Sequence, residues 1–277
     1  MKILGRLRLP LDPRVGWVVL AGMLGLASAL AYAQVAETVD PKGTAAGTIV
    51  YTPREPADSN ELMSSLLSVR HDFGAPEVTE SGGTRSMPPV GNTPGALPAL
   101  PDILVLAPPK LAHSLSPQPT LYWYVSGASH VPVRLTLLDV EAASPEPLLE
   151  LDLGAVPAAG VYATALTKHG VRLEPGHRYE WSVALEVNRE AYSEEPVAKT
   201  IFATAEADPA LLPKLAGAPP LARIEALAAA GYWYDALDLL AQQIAADDRS
   251  QPWRELSATL LEQARLQQVA AFARGDQ

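Results

Sequence analysis

Five histidines, at His71, His113, His130, His169 and His177, are the side chains of this sequence best suited to holding a metal or moving a proton near neutral pH. None of them makes a His-x-x-x-His pair, the spacing that puts two imidazoles on one helix face around zinc. His169 and His177 flank one loop and, with Glu174, make a conceivable zinc set, but solvent-facing loop and strand positions are the simpler expectation. His113 beside Ser114 or Ser116 is half of a nucleophile and base pair with no acid placed to orient it. The Gly-x-Ser-x-Gly elbow, a phosphate-cradling loop and the Gly-x-Gly-x-x-Gly fingerprint are all missing. The acidic pairs Glu194-Glu195 and Asp247-Asp248 fall at turns, where solvation is expected and calcium contact would be weak. The chain has no cysteine, which excludes disulfides, thiolate metal sites, a Cys nucleophile and a lipid-modified cysteine. No enzyme activity, cofactor or metal is expected.

The aromatic run Tyr122-Trp123-Tyr124 is more suggestive. Strand alternation sends Trp123 inward with Leu121 and Val125, leaving Tyr122 and Tyr124 together on the opposite face. Two neighbouring tyrosines can bind a glycan or a peptide, or they can lie under the C-terminal helices, which is the preferred reading. Tyr232, Trp233 and Trp253, further along the chain, also need covering, since large exposed apolar patches are unusual. Tyr122, Tyr124, Tyr232, Trp233 and Trp253 are therefore the candidate interaction surface.

The elements that must position these residues run from about residue 102 to 206. Seven short apolar runs, at 103–106, 120–125, 131–139, 148–153, 161–167, 177–187 and 199–204, are separated by turn residues. Val131, Val133, Leu135 and Leu137 share one face, as do Tyr179, Trp181, Val183, Leu185 and Val187. A one-residue slip would expose every one of these groups, so the pattern specifies register. Seven such strands in about a hundred residues predict an immunoglobulin- or fibronectin type III-like β-sandwich. The segment Leu173-Glu174-Pro175-Gly176-His177-Arg178-Tyr179 is similar to the corner before the sixth strand of fibronectin type III domains. There a buried tyrosine ring bonds backbone a few residues upstream, a role that falls here to Tyr179, with Trp181 behind it in the core.

Beyond residue 206 the apolar period lengthens to about 3.6 and predicts a helical segment to residue 277. Asp208-Pro209 starts a piece that Pro213 keeps short. Leu221, Ile224 and Leu227 share a helix face that Gly231 ends, in a left-handed cap conformation. A second helix over 234–246 presents Leu237, Leu240 and Ile244, and a third carries Trp253, Leu256, Leu260 and Ala264 before fraying toward the polar terminus. The spacing of Gly231, Trp233 and Ala236 is that of a tetratricopeptide hairpin turn, although one hairpin is too few for a solenoid.

At the other end, four basic residues precede a continuous apolar stretch over 15–30, which closes on Ala31-Tyr32-Ala33. This is the layout of a signal peptide cleaved after Ala33 and predicts a periplasmic or secreted protein, with membrane contact only if cleavage fails. Residues 34–101 hold nine prolines with many Gly, Ser and Thr, the composition of a disordered linker. Capping-box spacing at Asp58 and Glu61, with Leu62, Met63, Leu66, Leu67 and Val69 following, predicts one short helix near 59–70. Loss of residues 1–33 takes the net charge from -10 to about -13, and no basic run remains, so nucleic acid is excluded as a partner.

Three short motifs in this order, 115–124, 173–181 and 231–237, resemble the bacterial domain-of-unknown-function family 928 over about residues 100–265. The arginine-containing run associated with the last strand of that family is here Thr200-Ile201-Phe202-Ala203-Thr204. The resemblance implies an exported protein and no catalytic residues. The expectation is a non-catalytic interaction module of the bacterial cell envelope whose partner is another envelope protein. The alternatives are an envelope carbohydrate-binding module and, with less to support it, a hydrolase.

Overall fold

The period-two alternation along 133–137 and 179–185 builds the larger of two β-sheets. In the computed structural model, which describes residues 49–54, 99–142, 146–188, 195–247 and 251–275, eight strands precede five helices. The strands are β1 (Ile103–Val105), β2 (Ala112–Ser114), β3 (Thr120–Val125), β4 (Pro132–Asp139), β5 (Leu149–Ala155), β6 (Gly160–Ala165), β7 (Arg178–Leu185) and β8 (Val197–Thr204). One antiparallel sheet has the order β1-β3-β6, the other the order β2-β8-β7-β4-β5. The larger sheet is antiparallel except where β2 runs parallel to β8. Register follows the apolar alternation, pairing Leu137 with Trp181, Leu135 with Val183 and Val133 with Leu185, all fully buried.

Strand β2 is absent from the sequence-based expectation, which had seven strands. Three residues reading Ala-His-Ser offer no alternation to detect, and the pairing with β8 is set by tertiary packing. The corner before β7 forms as expected. The Glu174 backbone N–H donates to the Tyr179 hydroxyl at 2.8 Å, and the Thr204 hydroxyl donates to the Glu174 carbonyl.

The helices are α1 (Leu212–Leu215), α2 (Pro220–Ala229), α3 (Trp233–Ala246), α4 (Gln251–Gln263) and α5 (Gln267–Arg274). Gly231 takes φ 83°, and Gly231 N–H and Tyr232 N–H return to Ala228 and Leu227, closing α2 with a Schellman motif. The expected third helix does not fray but ends at Gln263. Arg265 adopts φ 61°, Arg265 and Leu266 N–H return to Glu262 and Leu261, and α5 follows. An arginine in that position gives no stop signal of the kind glycine does, so the break was invisible in the sequence.

The chain divides into two compact units, residues 1–53 with 101–277, and residues 54–100. All thirteen elements above belong to the first unit. Of the second, only Arg54, Ala99 and Leu100 are described, and the helix expected near 59–70 lies outside the described residues, as does the export signal over 1–33. The linker expected over 34–101 is corrected at one point: Ile49 and Tyr51 are buried in the first unit, because Ile49-Val50-Tyr51-Thr52 alternates inward and outward like a strand. Among the described residues no helix is long and apolar enough to cross a membrane.

Candidate functional site

Four of the five aromatic residues expected to form a surface are interior. Tyr122, Tyr124, Tyr232 and Trp233 are all buried, and Trp253 alone is half-exposed. Their contacts explain the placement: three of the four use a polar end, and Tyr124 its ring, to fasten a helix to a sheet or a loop. The Tyr122 hydroxyl donates to Asp238 of α3 at 2.8 Å, and the Tyr124 ring meets Phe272 of α5 edge-on at 5.3 Å. The Trp233 indole donates to the Leu106 carbonyl at 2.8 Å, and the Tyr232 hydroxyl donates to the Glu206 carbonyl at 2.9 Å. Tyr122 and Tyr124 therefore lie under the helices, the cover that sequence reasoning prefers to a ligand, while Tyr232 and Trp233 reach back from the start of α3.

A second polar seam lies at the start of α3. Asp235 accepts the backbone N–H groups of Leu115 at 2.8 Å and Ser116 at 3.1 Å, tying the β2–β3 loop to the helix. Burial pushes its carboxyl up to about 6, against the opposing pull of those two N–H donors. Burial, and then the neighbouring Asp238 charge, likewise drive the Tyr122 phenol well above its ordinary value. Both groups serve attachment: their donors and acceptors are consumed within the fold.

The described histidines, His113, His130, His169 and His177, do not assemble into a centre. Among the described residues, no group of three or more His, Asp and Glu could hold a metal ion. His177 Nδ1 lies 3.2 Å from Asp139 and Nε2 lies 3.6 Å from Glu174, and the bond to Asp139 raises its pKa. His113 is buried in β2, while the Ser114 hydroxyl beside it donates to the Ser116 carbonyl at 3.1 Å.

What sequence reasoning missed is a groove on the helices that holds an extended segment. Residues Ile49–Thr52 lie in it as a strap. At the end of α4, the Gln263 side-chain amide donates to the Ile49 carbonyl at 2.9 Å and accepts the Tyr51 N–H at 2.7 Å. A carboxamide has one donor side and one acceptor side, and in an extended chain the carbonyl of one residue and the N–H of the residue two on face the same way. Gln263 thus reads backbone, not side chain. Thr52 N–H adds a bond to the Ala228 carbonyl of α2 at 3.1 Å. Ile49 and Tyr51 point in, while Val50 is 54% exposed. The Tyr51 ring meets Trp233 edge-on at 5.0 Å, and its hydroxyl is buried without a hydrogen-bond partner among the described residues. The signal that could have found the strap is its run of β-branched and aromatic residues inside a Pro/Gly-rich stretch.

Of known structures, the chain is similar to Astrotactin-2, described as a conserved vertebrate-specific and perforin-like membrane protein involved in neuronal development. Identity is 14%, coverage is 67% of this chain and 39% of that one, and the TM-score of 0.26 supports no inference about fold or function. No curated protein matches the sequence. The profile of the Domain of Unknown Function (DUF928) matches residues 80–273, which spans the two sheets and the five helices. The chain belongs to the DUF928 family.

Proposed function

We propose that this protein is an exported, non-catalytic recognition module of the bacterial cell envelope that acts by protein–protein contact. The observation that carries the reading is the hold of Gln263 on the backbone of Ile49 and Tyr51, together with the two inward side chains. Backbone bonds for affinity and alternate side-chain pockets for specificity are the physics of recognising an extended peptide. The export part rests on the basic start, the apolar stretch over 15–30 and Ala31-Tyr32-Ala33.

The scaffold reads as an immunoglobulin/fibronectin type III-like sandwich carrying a tetratricopeptide-like helical hairpin. A three-stranded sheet with a larger partner sheet, and a tyrosine corner before the penultimate strand, support the first half. The Gly231 turn and the buried Ala236 between α2 and α3 support the second. The carbohydrate-binding alternative loses its main argument, because Tyr122 and Tyr124 are not available for stacking on a sugar.

Affinity capture with the full mature chain from an envelope fraction tests the reading. The expected result is one envelope protein retained in stoichiometric amount. Retention of peptidoglycan fragments or other glycans in place of protein would overturn it. N-terminal sequencing of the exported chain should begin at Gln34, and recovery of Met1 would overturn the cleavage.

A further inference from the structure

Resting on the recognition role just proposed, we infer that the groove between α2, α3 and α4 is a receptor for a partner protein's extended segment with an aliphatic residue and an aromatic residue two apart. In the free chain that receptor is held closed by the chain's own Ile49–Thr52. The strap defines the ligand chemistry because it is seen bound. It supplies a β-branched aliphatic residue that is 1% exposed, an outward residue with no sequence requirement, and an aromatic ring against Trp233. Gln263 and the Ala228 carbonyl fix the direction and depth of any segment laid there, since they bond only to main chain.

Three observations mark the strap as an exchangeable occupant rather than a fixed part of the core. First, the clamp that holds its backbone, Gln263, stands at an exposed position at the end of α4. Second, the strap is a member of neither sheet, so its release breaks no strand ladder. Third, the fit is imperfect. The Tyr51 hydroxyl is buried with no hydrogen-bond partner among the described residues, and burial raises its pKa. A buried unpaired phenol is disfavoured by enough to weaken binding about tenfold relative to a phenyl ring. A partner segment with Phe at that position, or one with an acceptor for the hydroxyl, therefore competes against a tethered ligand that is weakened by its own chemistry. Because the strap belongs to the same chain, it competes intramolecularly and acts as a brake on weak ligands.

The test uses the full mature chain and a fluorescent synthetic peptide of residues 47–54 (Gly-Thr-Ile-Val-Tyr-Thr-Pro-Arg). A strap-released variant, I49D with Y51D, should bind this peptide at micromolar concentration, and the unmodified chain should bind it at least about tenfold more weakly. A peptide carrying Phe in place of Tyr51 should bind up to about tenfold more tightly. Gln263→Ala in the strap-released chain should weaken both peptides about tenfold. No binding by a strap-released chain that keeps its melting transition, or binding indifferent to Gln263→Ala, overturns the inference. If the released variant does not fold, hydrogen exchange on the unmodified chain decides. Tyr51 and Thr52 N–H should exchange at least about a hundredfold faster than Leu240 N–H, as local opening requires. Exchange of all three at one rate makes the strap a fixed structural element and overturns it. A concentration-dependent dimer in place of a one-to-one peptide complex also overturns it, in favour of strap exchange between copies. An envelope partner captured equally well by the Gln263→Ala chain would overturn this groove as the site while leaving the recognition role standing.

Discussion

The indole N–H of Trp181, in the middle of β7, donates to the hydroxyl of Tyr234, in the first turn of α3, at 2.9 Å, and both side chains are fully enclosed. Fifty-three residues separate them in sequence, and Phe202 of β8 lies 4.7 Å from the Tyr234 ring. This contact makes α3 part of the sheet's own core. Tyr234→Phe should cost about 2 kcal/mol, because it strands a buried indole donor rather than removing a surface bond. Trp181→Ala should cost about 3–5 kcal/mol through the cavity it opens. Urea denaturation of the two variants separates the effects, and a Tyr234→Phe chain as stable as the original would show that the bond contributes nothing net.

The same logic extends to the whole helical layer. Removing everything after Thr204 would leave Tyr122 and Tyr124 uncovered and the Leu106 carbonyl without the Trp233 indole. The truncated sheets should melt at least about 10 °C lower than the full chain and bind a hydrophobic dye in the cold. Retention of the full melting temperature would mean that the helices stabilise only themselves.

These two expectations show which parts of the molecule could be read in advance. The register of β4 against β7, the Tyr179 corner and the Gly231 helix end each have a local signature: alternation, a Pro-Gly turn before a tyrosine, a glycine after an apolar helix face. Tyr122, Tyr124 and Trp233 can be identified as groups needing cover, and the rarity of large exposed apolar patches favours the helices over a ligand, but the particular contacts cannot be read, because burial under a helix and burial under a ligand look the same in sequence. The strap was illegible for a different reason. Ile49-Val50-Tyr51-Thr52 is too short to outweigh the prolines and glycines around it, and its holder, Gln263, lies 212 residues from Tyr51 on an exposed helix position that reads as solvent-facing. Nothing local marks a glutamine as a backbone clamp.

The Tyr179 corner can be tested by a single atom. Tyr179→Phe removes the acceptor of the Glu174 N–H and should lower stability by about 1–2 kcal/mol, read by thermal denaturation. The β7 packing of the ring should survive, so near-ultraviolet dichroism of Trp181 should keep its shape. An unchanged melting temperature would demote the hydroxyl to a bystander.

Asp235 gives the molecule a pH dependence with a definite sign. Its carboxyl, pushed up to about 6 by burial, holds a proton more tightly in the folded chain than in the unfolded one. The stabilisation from that proton is complete below the ordinary carboxyl range and is lost as pH rises through about 6. Between pH 7.5 and pH 5 the original chain should therefore gain about 1 kcal/mol relative to Asp235→Asn. Chemical denaturation at the two pH values measures this difference directly. A difference that does not change with pH would mean that the two N–H bonds from Leu115 and Ser116 hold the carboxylate at its ordinary value.

Two helix ends with one geometry supply an internal control. Gly231 after α2 and Arg265 after α4 both take a left-handed φ, 83° and 61°, and both close a Schellman pair of backbone bonds. The conformation suits glycine and is strained for a side chain by about 1 kcal/mol. Gly231→Val should be the harsher change, since the position is buried and a β-branched residue is disfavoured there; a loss of at least about 2 kcal/mol is expected. Arg265→Gly should act in the opposite direction. It relieves the strain at an exposed position but loosens the unfolded chain, leaving a net gain of about 0.5 kcal/mol. The gain should be seen as slower amide exchange at Arg265's own neighbours, the Leu266 N–H that reaches Leu261 and the Ala264 N–H that returns to the same carbonyl. Because α4 ends at Gln263, two residues before this cap, a firmer turn should also hold the clamp on Ile49 and Tyr51 more tightly, and exchange of the Tyr51 N–H reads that directly. Destabilisation by Arg265→Gly would mean that the arginine side chain contributes more to the α4–α5 junction than its backbone strain takes away.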